Sequence, residues 1–316
     1  MISRLTKIFI TGTTGFIGAN IVRRLVSTGF GSIFVSVRKS SNLWRIKDLL
    51  GKIKPVDFDF ADGKDVLKKI KKVNPEIIIH TAACGGFAFQ DNYRDIIAAN
   101  ITDTVNLLEA AKTLNLQLFI NTGSSSEYGI KSEPMSEDNS CFPVSFYGIS
   151  KLCMTLFCRL QGLMSSLPVC TLRLFSPYGY CDDKNRLIPQ VITSALLGRD
   201  IVISNPCNKR DYIFIDDVVN AYLKVISKKK FKGNIINIGS GKEYSVKSIA
   251  EIILKLTGSK SKLKFKKSES KITESPAWMA DITRAKEILA WEPVIDITSG
   301  LKKTIYWFKK NISIYR

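Results

Sequence analysis

The first half of the chain alternates short apolar runs, rich in β-branched residues, with longer stretches whose apolar positions recur every three or four residues. The short runs predict buried strands, and the longer stretches predict amphipathic helices. The predicted strands are Lys7–Thr11, Ile33–Val37, Val56–Phe60, Ile77–Thr81, Leu116–Thr122 and Val169–Phe175. The predicted helices are Phe16–Thr28, Asp65–Val73, Asp95–Leu114 and Tyr147–Met164. This alternation predicts βαβ units and a doubly wound parallel sheet.

The pattern changes after Phe175. Turn-forming residues fill much of Pro177–Lys209, which contains one predicted helix at Pro189–Leu197. The later predicted elements are strands at Asp211–Ile215 and Ile235–Ile238 and helices at Val218–Ser227, Val246–Leu256, Thr283–Leu289 and Thr298–Lys309. We therefore predict a sheet domain over residues 1–175, which also receives about 211–239, and a smaller C-terminal lobe over 176–316.

Composition narrows the class of protein. The chain has 316 residues, 45% of them hydrophobic, which is enough for one large core with a smaller lobe attached. No apolar run approaches the roughly 20 residues that span a bilayer, so we expect no membrane partner. The N-terminal segment lacks a signal-peptide cleavage pattern, so a cytoplasmic location is expected. Seven cysteines without a CxxC pair and one histidine predict no metal site.

The net charge of +19 raises the question of nucleic-acid binding. The lysines are spread along the chain, with denser clusters at Lys228–Lys232 and Lys260–Lys271. Neither cluster is interleaved with the aromatic residues on which single-stranded nucleic acid stacks. We therefore expect a solvated basic surface without a nucleic-acid partner. Its field would still attract an anionic substrate such as a nucleotide diphosphate.

A glycine-rich turn follows the first predicted strand. The segment Thr11–Gly18 reads TGTTGFIG and leads into the first predicted helix. Gly12 allows a tight turn, Gly15 lets a pyrophosphate approach the backbone, and Gly18 lets the helix pack against the strand. The N–H groups that open the helix then bind phosphate. The turn therefore predicts a dinucleotide-binding site.

The residues after the second predicted strand bear on which dinucleotide is bound. NAD sites usually carry Asp or Glu there to bind the ribose 2′-hydroxyl. Here the strand runs into Arg38, Lys39 and Ser40, and no carboxylate is present between Val35 and Ser41. The guanidinium of Arg38 can bind a 2′-phosphate bidentately. The sequence therefore favours NADP(H); NAD(H) is the alternative if these cations belong only to the surface.

A serine-rich segment and a Tyr-Lys pair follow the fifth predicted strand. Asn121–Gly129 reads NTGSSSEYG, and Tyr147 and Lys151 share one face at the start of the next predicted helix. The ammonium of Lys151 is expected to lower the pKa of the Tyr147 phenol from about 10. Tyr147 can then exchange a proton with a carbonyl or alcohol near neutral pH, while Ser124 holds the substrate oxygen.

Together these motifs resemble those of the extended short-chain dehydrogenases/reductases, in the NAD-dependent epimerase/dehydratase group. The resemblance covers nearly the whole chain. It is also carried by Asp59-Phe60, Ile79–Ala83, Asn100, Arg173–Gly179, Arg210–Asp217, Asn237–Gly239 and Trp291–Pro293. It implies a Rossmann-type α/β fold, with a doubly wound parallel sheet and a smaller C-terminal substrate-binding lobe. His80, the only histidine, is then part of a strand-four motif and not a catalytic base.

The resemblance and the residue arguments together give an expected site. The expected catalytic residues are Ser124, Tyr147 and Lys151. The expected cofactor-binding residues are Gly12, Thr14, Gly15, Phe16, Ile17, Gly18, Arg38, Lys39, Ser40, Asp59, Phe60, Ala82, Ala83, Asn100, Thr122, Tyr147, Lys151 and Phe175. The expected substrate-binding residues are Cys84, Ser124, Ser125, Ser126, Ser176, Arg186 and Arg210, although Ser176 stands where the family has asparagine. Many members dimerise through the helices matching Asp95–Leu114 and Tyr147–Met164, so the resemblance implies a homodimer.

The residues after Ser124 bear on the reaction. Sugar 4,6-dehydratases of the family carry Asp-Glu directly after the active-site hydroxyl, whereas Ser125 and Ser126 stand here. Glu127 is expected to face elsewhere, because neighbours on an extended strand alternate faces. The sequence therefore argues against a dehydratase.

The choice between the remaining reactions follows the cofactor. Arg38 favours an enzyme that exchanges NADP for NADPH in each turnover. The first hypothesis is NADPH-dependent reduction of a nucleotide-linked 4-keto-6-deoxyhexose at C4, similar to CDP-abequose and CDP-paratose synthases in deoxysugar biosynthesis for O-antigen and other surface polysaccharides. The alternative is an NAD-dependent nucleotide-sugar 4-epimerase. A non-catalytic NADP-binding regulator is the non-enzyme alternative, and such proteins tend to lose the tyrosine or the lysine.

Overall fold

The computed structural model describes residues 3–87, 89–165, 167–228, 230–266 and 277–315. The lysine clusters singled out in the sequence therefore lie partly outside the described residues, at position 229 and from 267 onwards. Of the helices within the described ranges, none combines the length and the apolarity needed to cross a bilayer. The same residues hold no group of three side chains suited to a metal ion.

Twelve strands and ten α-helices are formed by the described residues. The strands are β1 (Ile8–Thr11), β2 (Ile33–Val37), β3 (Lys54–Asp57), β4 (Ile77–His80), β5 (Leu118–Ser124), β6 (Val169–Leu174), β7 (Ser176–Tyr178), β8 (Ile201–Ser204), β9 (Lys209–Phe214), β10 (Asn234–Ile238), β11 (Glu243–Ser245) and β12 (Leu263–Lys266). The helices are α1 (Phe16–Ser27), α2 (Gly63–Val73), α3 (Tyr93–Ile97), α4 (Asp103–Lys112), α5 (Phe146–Met164), α6 (Leu187–Leu196), α7 (Ile215–Lys228), α8 (Val246–Thr257), α9 (Thr283–Leu289) and α10 (Ile297–Asn311). Short 3₁₀ turns occur at Lys47–Lys52, Ser125–Glu127 and Ile312–Tyr315.

The main sheet is parallel and has seven strands in the order β10-β6-β5-β4-β1-β2-β3. Successive residues of a strand point to opposite faces of a sheet. Accordingly, Ile8 and Ile10 pack in one apolar layer with α1 and α7, whereas Phe9 packs in the other with α2 and α4. Helices therefore cover both faces. The predicted α/β fold with a doubly wound parallel sheet is confirmed.

The C-terminal part of the chain builds a smaller group of elements beyond the carboxyl ends of the central strands. It contains the three-stranded sheet β11-β9-β7 and the pair β12-β8, with α6, α8 and α10 packed nearby. β10 returns to the main sheet beside β6. The division of the chain into two domains at residue 175 stays a prediction. That prediction included a return of the chain to the main sheet within about 211–239, where β10 lies.

Asp217, the last residue of the Arg210–Asp217 motif, holds the Trp291–Pro293 motif of the tail in place. The Asp217 carboxylate accepts the N–H groups of Val294 and Ile295 at 3.2 and 3.0 Å. The indole N–H of Trp291 donates to the Asp217 carbonyl oxygen at 3.2 Å. Two of the sequence motifs thus form one contact that holds the tail against α7.

Two predicted elements differ from the structure. The third strand is Lys54–Asp57 and not Val56–Phe60, because Phe58 leaves the strand to pack against the Phe9 ring at 5.2 Å. The predicted helix Asp95–Leu114 is divided into α3, a π-helical turn at Ala98–Thr102, and α4. The short strands β7, β8, β11 and β12 were not predicted, since three or four residues give little periodicity.

Candidate active site

The glycine turn between β1 and α1 has a geometry that only glycine allows. Gly12 has φ of +68°, and a Cβ there would lie 2.6 Å from the backbone nitrogen of Ala82. A Cβ on Gly18 would lie 2.5 Å from the carbonyl oxygen of Gly12. The backbone itself is therefore the floor of a cradle at the start of α1, as a bound pyrophosphate requires. The residues present fit a nicotinamide dinucleotide.

One groove of about 600 Å³ connects this turn with the serine segment and the start of α5. It brings together most of the expected site. The expected residues that line it are Gly12, Thr14, Gly15, Phe16, Ile17, Gly18, Ala83, Thr122, Ser124, Ser125, Ser126, Tyr147, Lys151, Phe175, Ser176, Arg186 and Arg210. The expected residues outside its lining are Arg38, Lys39, Ser40, Asp59, Phe60, Ala82, Cys84 and Asn100.

The three expected catalytic side chains come from two elements. Ser124 ends β5, and Tyr147 and Lys151 lie one turn apart at the start of α5. The Ser145 hydroxyl caps α5 by accepting the N–H of Gly148 at 3.0 Å. A Cβ on Gly148 would lie 2.5 Å from the Ser126 carbonyl oxygen, so this glycine lets α5 approach the serine segment. The Ser124 side chain lies near the Tyr147 phenol and acts to lower the pKa of that phenol.

The expected effect of Lys151 on the Tyr147 pKa is wrong for this structure. Burial raises the pKa of Tyr147, while the Arg186 charge and the Ser124 side chain lower it only in part. The Lys151 ammonium instead donates to the Thr122 carbonyl oxygen and lies 3.3 Å from the Met154 sulfur. Burial lowers the pKa of Lys151 to about 8. The ammonium still carries its charge through most of the neutral range.

Glu127 faces away from the groove, as expected, but for another reason. The segment Ser125–Glu127 is a 3₁₀ turn and not an extended strand. The turn directs the Glu127 carboxylate into the interior, where it accepts the Arg173 Nε at 2.7 Å. Ser125 and Ser126 do line the groove. The structure therefore places no carboxylate of this segment at the position that elimination of water would need.

The expected residues around the adenosine end lie at the rim of the sheet. Arg38 follows β2, is exposed, and donates its backbone N–H to the Ser41 hydroxyl at 2.9 Å. Its charge acts on Asp103 of α4, whose pKa burial and the Asp59 charge raise to about 6. The Phe60 ring packs against the Phe58 ring in a tilted arrangement, with 4.6 Å between the ring centres. These residues therefore form a mixed-charge rim beside the end of β2.

Two expected motif residues are buried and serve the frame of the site. His80 lies between the hydroxyls of Thr11 and Thr104, at 2.8 and 2.9 Å. Burial lowers the pKa of His80 to about 3, so the ring is neutral and is not a groove-lining base. Asn100 lies in the π turn, where its side-chain oxygen accepts the Cys84 N–H at 2.7 Å and its amide donates to the Ser150 hydroxyl at 2.8 Å. Asn100 thus fixes the loop after β4 against α5.

The substrate side of the groove includes two arginines. The Arg186 guanidinium lies 5.2 Å from the Phe87 ring centre, and that of Arg210 lies 4.5 Å from the Trp278 ring centre. The Trp278 indole N–H donates to the Ser125 hydroxyl at 3.0 Å. Sequence reasoning did not identify Phe87 or Trp278. Both are aromatic residues in segments without regular periodicity, so nothing local signalled that they reach the groove.

Arg45 is a further groove residue that sequence reasoning missed. Its Nη1 donates to the Thr14 carbonyl oxygen at 3.0 Å and its Nε to the Cys181 carbonyl oxygen at 2.8 Å. It thereby joins the glycine turn to the segment that leads into α6. Its sequence neighbourhood, SNLWRIK, carries no motif, so the place of Arg45 in the groove follows only from its tertiary contacts.

Comparisons with known proteins agree with this geometry. The model of the NAD dependent epimerase/dehydratase family matches residues 8–239. The UDP-glucuronate 4-epimerase of Thermodesulfobacterium geofontis is 30% identical to this chain, over 97% of both proteins. The crystal structure of the Thermotoga maritima UDP-glucose 4-epimerase with UDP-glucose is similar at a TM-score of 0.89 and 25% identity, over 97% of this chain and 100% of that one.

A further solved structure is that of the Bacillus cereus UDP-glucuronic acid 4-epimerase in complex with UDP-glucuronic acid and NAD. It covers 97% of this chain and 100% of its own, with a TM-score of 0.87 and 25% identity. The match of the family over most of the chain, the relatives that extend along its whole length and the glycine cradle agree. The chain belongs to the NAD dependent epimerase/dehydratase family.

Proposed function

We propose that this protein is a nucleotide-sugar 4-epimerase that uses NAD. The observation that carries the proposal is the single groove in which Ser124, Tyr147 and Lys151 meet the glycine turn. The 4-epimerase activity named for the Thermodesulfobacterium relative and for the Thermotoga and Bacillus structures supports it. This inverts the order of the sequence hypotheses, in which a 4-reductase stood first.

The chain's own groups suit proton transfer at a sugar hydroxyl. When bound, the nicotinamide supplies the acceptor and donor of hydride at C4. The Ser124 hydroxyl would hold the sugar O4. The Tyr147 phenolate would take the O4 proton during oxidation and, as the phenol, return it after the 4-keto sugar has turned its other face. The Lys151 ammonium, which donates to the Thr122 carbonyl oxygen, would hold the ribose of the nicotinamide. A sugar bound in the groove would cover the half-buried Tyr147 side chain and keep water from the transferred proton.

The substrate would be a nucleoside diphosphate sugar. Arg186 and Arg210 place two guanidinium groups along the groove, which suits a diphosphate. UDP is the nucleotide of the similar structures solved with substrate, so a UDP-sugar is the first choice. The net charge of +19 would favour its approach.

The test is an assay of wild-type protein and Tyr147→Phe with UDP-glucose and UDP-glucuronate, in the presence of NAD or NADP. We expect the wild type to form the C4 epimer, identified by NMR, without net consumption of dinucleotide. The variant controls for contaminating enzymes. If the wild type forms no epimer from these or from other nucleotide sugars, the 4-epimerase proposal fails.

A second candidate is the NADPH-dependent 4-reductase. The specific observation that favours it is Arg38 after β2, where no carboxylate is present to bind a ribose 2′-hydroxyl. The discriminating assay supplies nucleotide-linked 4-keto-6-deoxyhexoses with NADPH. Stoichiometric NADPH oxidation, without epimerisation of UDP-sugars, would replace the epimerase proposal with the reductase.

The oligomer that we propose is a homodimer through α3 and α5. Tyr93 and Ile97 of α3 are each 48% exposed. On the neighbouring helix α5, Leu160 and Leu163 are 51% and 59% exposed. An apolar surface of this kind along two adjacent helices suits a second copy of the chain. The family resemblance implies Asp95–Leu114, which contains the end of α3 and all of α4, together with Tyr147–Met164 of α5.

A further inference from the structure

A buried ion pair lies directly behind the catalytic serine. The Glu127 carboxylate accepts the Arg173 Nε at 2.7 Å, and both side chains are almost fully excluded from solvent. Arg173 lies on β6, next to the strand that Ser124 ends. Neither residue lines the groove. The pair therefore acts on any bound molecule only through the residues in front of it.

The carboxylate also holds the backbone of Ser124. One Glu127 oxygen accepts the Ser124 N–H at 2.7 Å and the Thr155 hydroxyl at 3.1 Å. In return, the Ser124 hydroxyl accepts the N–H of Ser126 at 3.2 Å. Ser124 and Glu127 thus form a reciprocal capping box around the 3₁₀ turn. Through Thr155 and Arg173, Glu127 connects that turn to both α5 and β6.

The same carboxylate is a negative charge beside the two titrating catalytic groups. It favours the protonated forms of both Tyr147 and Lys151, raising the pKa of each. Two other ionisable groups act on this pair. Arg186 lowers the pKa of Tyr147, and Cys158 raises the pKa of Lys151. His80 is neutral at these pH values because burial and the Lys151 charge lower its pKa to about 3.

Opposing effects act on the charge of Glu127, and burial is the largest of them. Burial raises the pKa of Glu127, whereas Arg173, the Ser124 N–H and Lys151 lower it. A buried ion pair contributes little stability beyond what apolar residues of the same volume provide. Stability alone therefore gives no reason for this ion pair. Its position behind Ser124 and beside Tyr147 and Lys151 indicates a role at the site.

We propose that Glu127, paired with Arg173, is a positioning residue that fixes Ser124 and sets the pH range in which Tyr147 and Lys151 work. This inference rests on the proposed function, because it assigns proton transfer to Tyr147. It goes further by naming a residue that touches neither substrate nor cofactor. It also explains why a carboxylate stands next to the serine turn in a protein that lacks the dehydratase pair.

The main test compares Glu127→Gln with the wild type. Glutamine keeps an oxygen for the Ser124 N–H but removes the charge, so the pKa values of Tyr147 and Lys151 should both fall. We expect kcat to decrease by about tenfold, with little change in KM for the nucleotide sugar, and the midpoint of the kcat/KM pH profile to move down by roughly half a unit or more. An unmoved midpoint, even with a lower thermal stability, would overturn the proposal and leave a structural ion pair.

Thr155→Val is the matched control. It removes one hydrogen bond to Glu127 but keeps the charge, so the pH midpoint should stay where it is. A shift as large as that of Glu127→Gln would attribute the effect to disturbed packing and would also overturn the proposal.

Two further measurements keep the test independent of folding and of activity. If Glu127→Gln does not fold, the double variant Glu127→Gln/Arg173→Gln removes both charges together. Its midpoint should also move down, because Arg173 is not among the charges that act on Tyr147 or Lys151. The tyrosinate absorbance that is lost in Tyr147→Phe reports the Tyr147 pKa without substrate. If the wild type is inactive on every sugar, the proposed function fails, and this titration still decides the role of Glu127.

Discussion

The single histidine allows a stability prediction with a defined sign. His80 is completely buried between two threonine hydroxyls, and burial, assisted by the Lys151 charge, lowers its pKa from 6.5 to about 3. In the unfolded chain the ring takes up a proton as the pH falls through 6.5, but in the folded chain it does so only near 3. A lowered histidine pKa thus contributes stability at neutral pH that is lost as the pH falls from 6.5 towards 3.

The magnitude follows from the two pKa values. One pKa unit corresponds to about 1.36 kcal/mol, so the full shift is worth about 5 kcal/mol. Between about pH 7 and 5 the unfolded state gains about three quarters of a proton and the folded state gains almost none. The free energy of unfolding should therefore lose about 2 kcal/mol over this interval from His80 alone.

The assay is denaturant-induced unfolding of the wild type and His80→Gln at these two pH values and one salt concentration. Glutamine can donate to one threonine and accept from the other, but it does not titrate. The advantage of the wild type over the variant should shrink by about 2 kcal/mol at the lower pH. Burial raises the pKa of Asp182 to about 7 and that of Asp103 to about 6, so both carboxyl groups contribute stability that is lost as the pH rises. These contributions are the same in both proteins and cancel in the comparison. A constant difference between the two proteins would refute the neutral buried ring.

Three other substitutions test separate parts of the structure. Tyr147→Phe should lower turnover by about 10²–10⁴-fold while dinucleotide affinity stays within about twofold, since only the transferred proton is lost; near-normal kcat would contradict the acid-base role. Arg38→Asp should move the ratio of kcat/KM for NAD over NADP by about tenfold or more towards NAD, and an unchanged ratio would show that Arg38 does not contact the 2′-phosphate. Leu160→Glu should convert the dimer into a monomer in sedimentation experiments, with Lys309→Glu on the distant helix α10 as the control; an unchanged mass would place the interface elsewhere.

The elements of the main sheet could be predicted because their signal is local. Strands such as Ile77–His80 are apolar at every position, and the turns between them contain glycine or an Asp or Asn cap. The division of the long helix after β4 could not be predicted. It results from the buried Asn100 side chain, which bonds to Cys84 and Ser150 across the fold. A sequence pattern carries the period of a helix but not the tertiary contact that inserts a residue into it.

The site shows the same difference between local and tertiary information. The glycine turn and the Tyr147–Lys151 pair are local patterns, and the structure places both in one groove. Arg45, Phe87 and Trp278 come from segments without a motif, and only the tertiary fold brings them to that groove. The glycine turn and much of the groove lining could thus be predicted from sequence, but the positions of Arg45, Phe87 and Trp278 could not.

The pKa of Tyr147 depends on an environment that its helix alone does not contain. A tyrosine and a lysine one turn apart suggest a lowered phenol pKa, because the ammonium is the only charge that a helix pattern reveals. In the folded protein the ammonium is directed at the Thr122 carbonyl oxygen, the phenol is buried, and Glu127 adds a negative charge from behind. Two of these three effects raise the pKa of Tyr147, and the third removes the group expected to lower it. The proton affinity of the site is therefore set jointly by α5 and by the turn after β5. A change at Glu127, which lies outside the groove lining, should be visible in the pH profile.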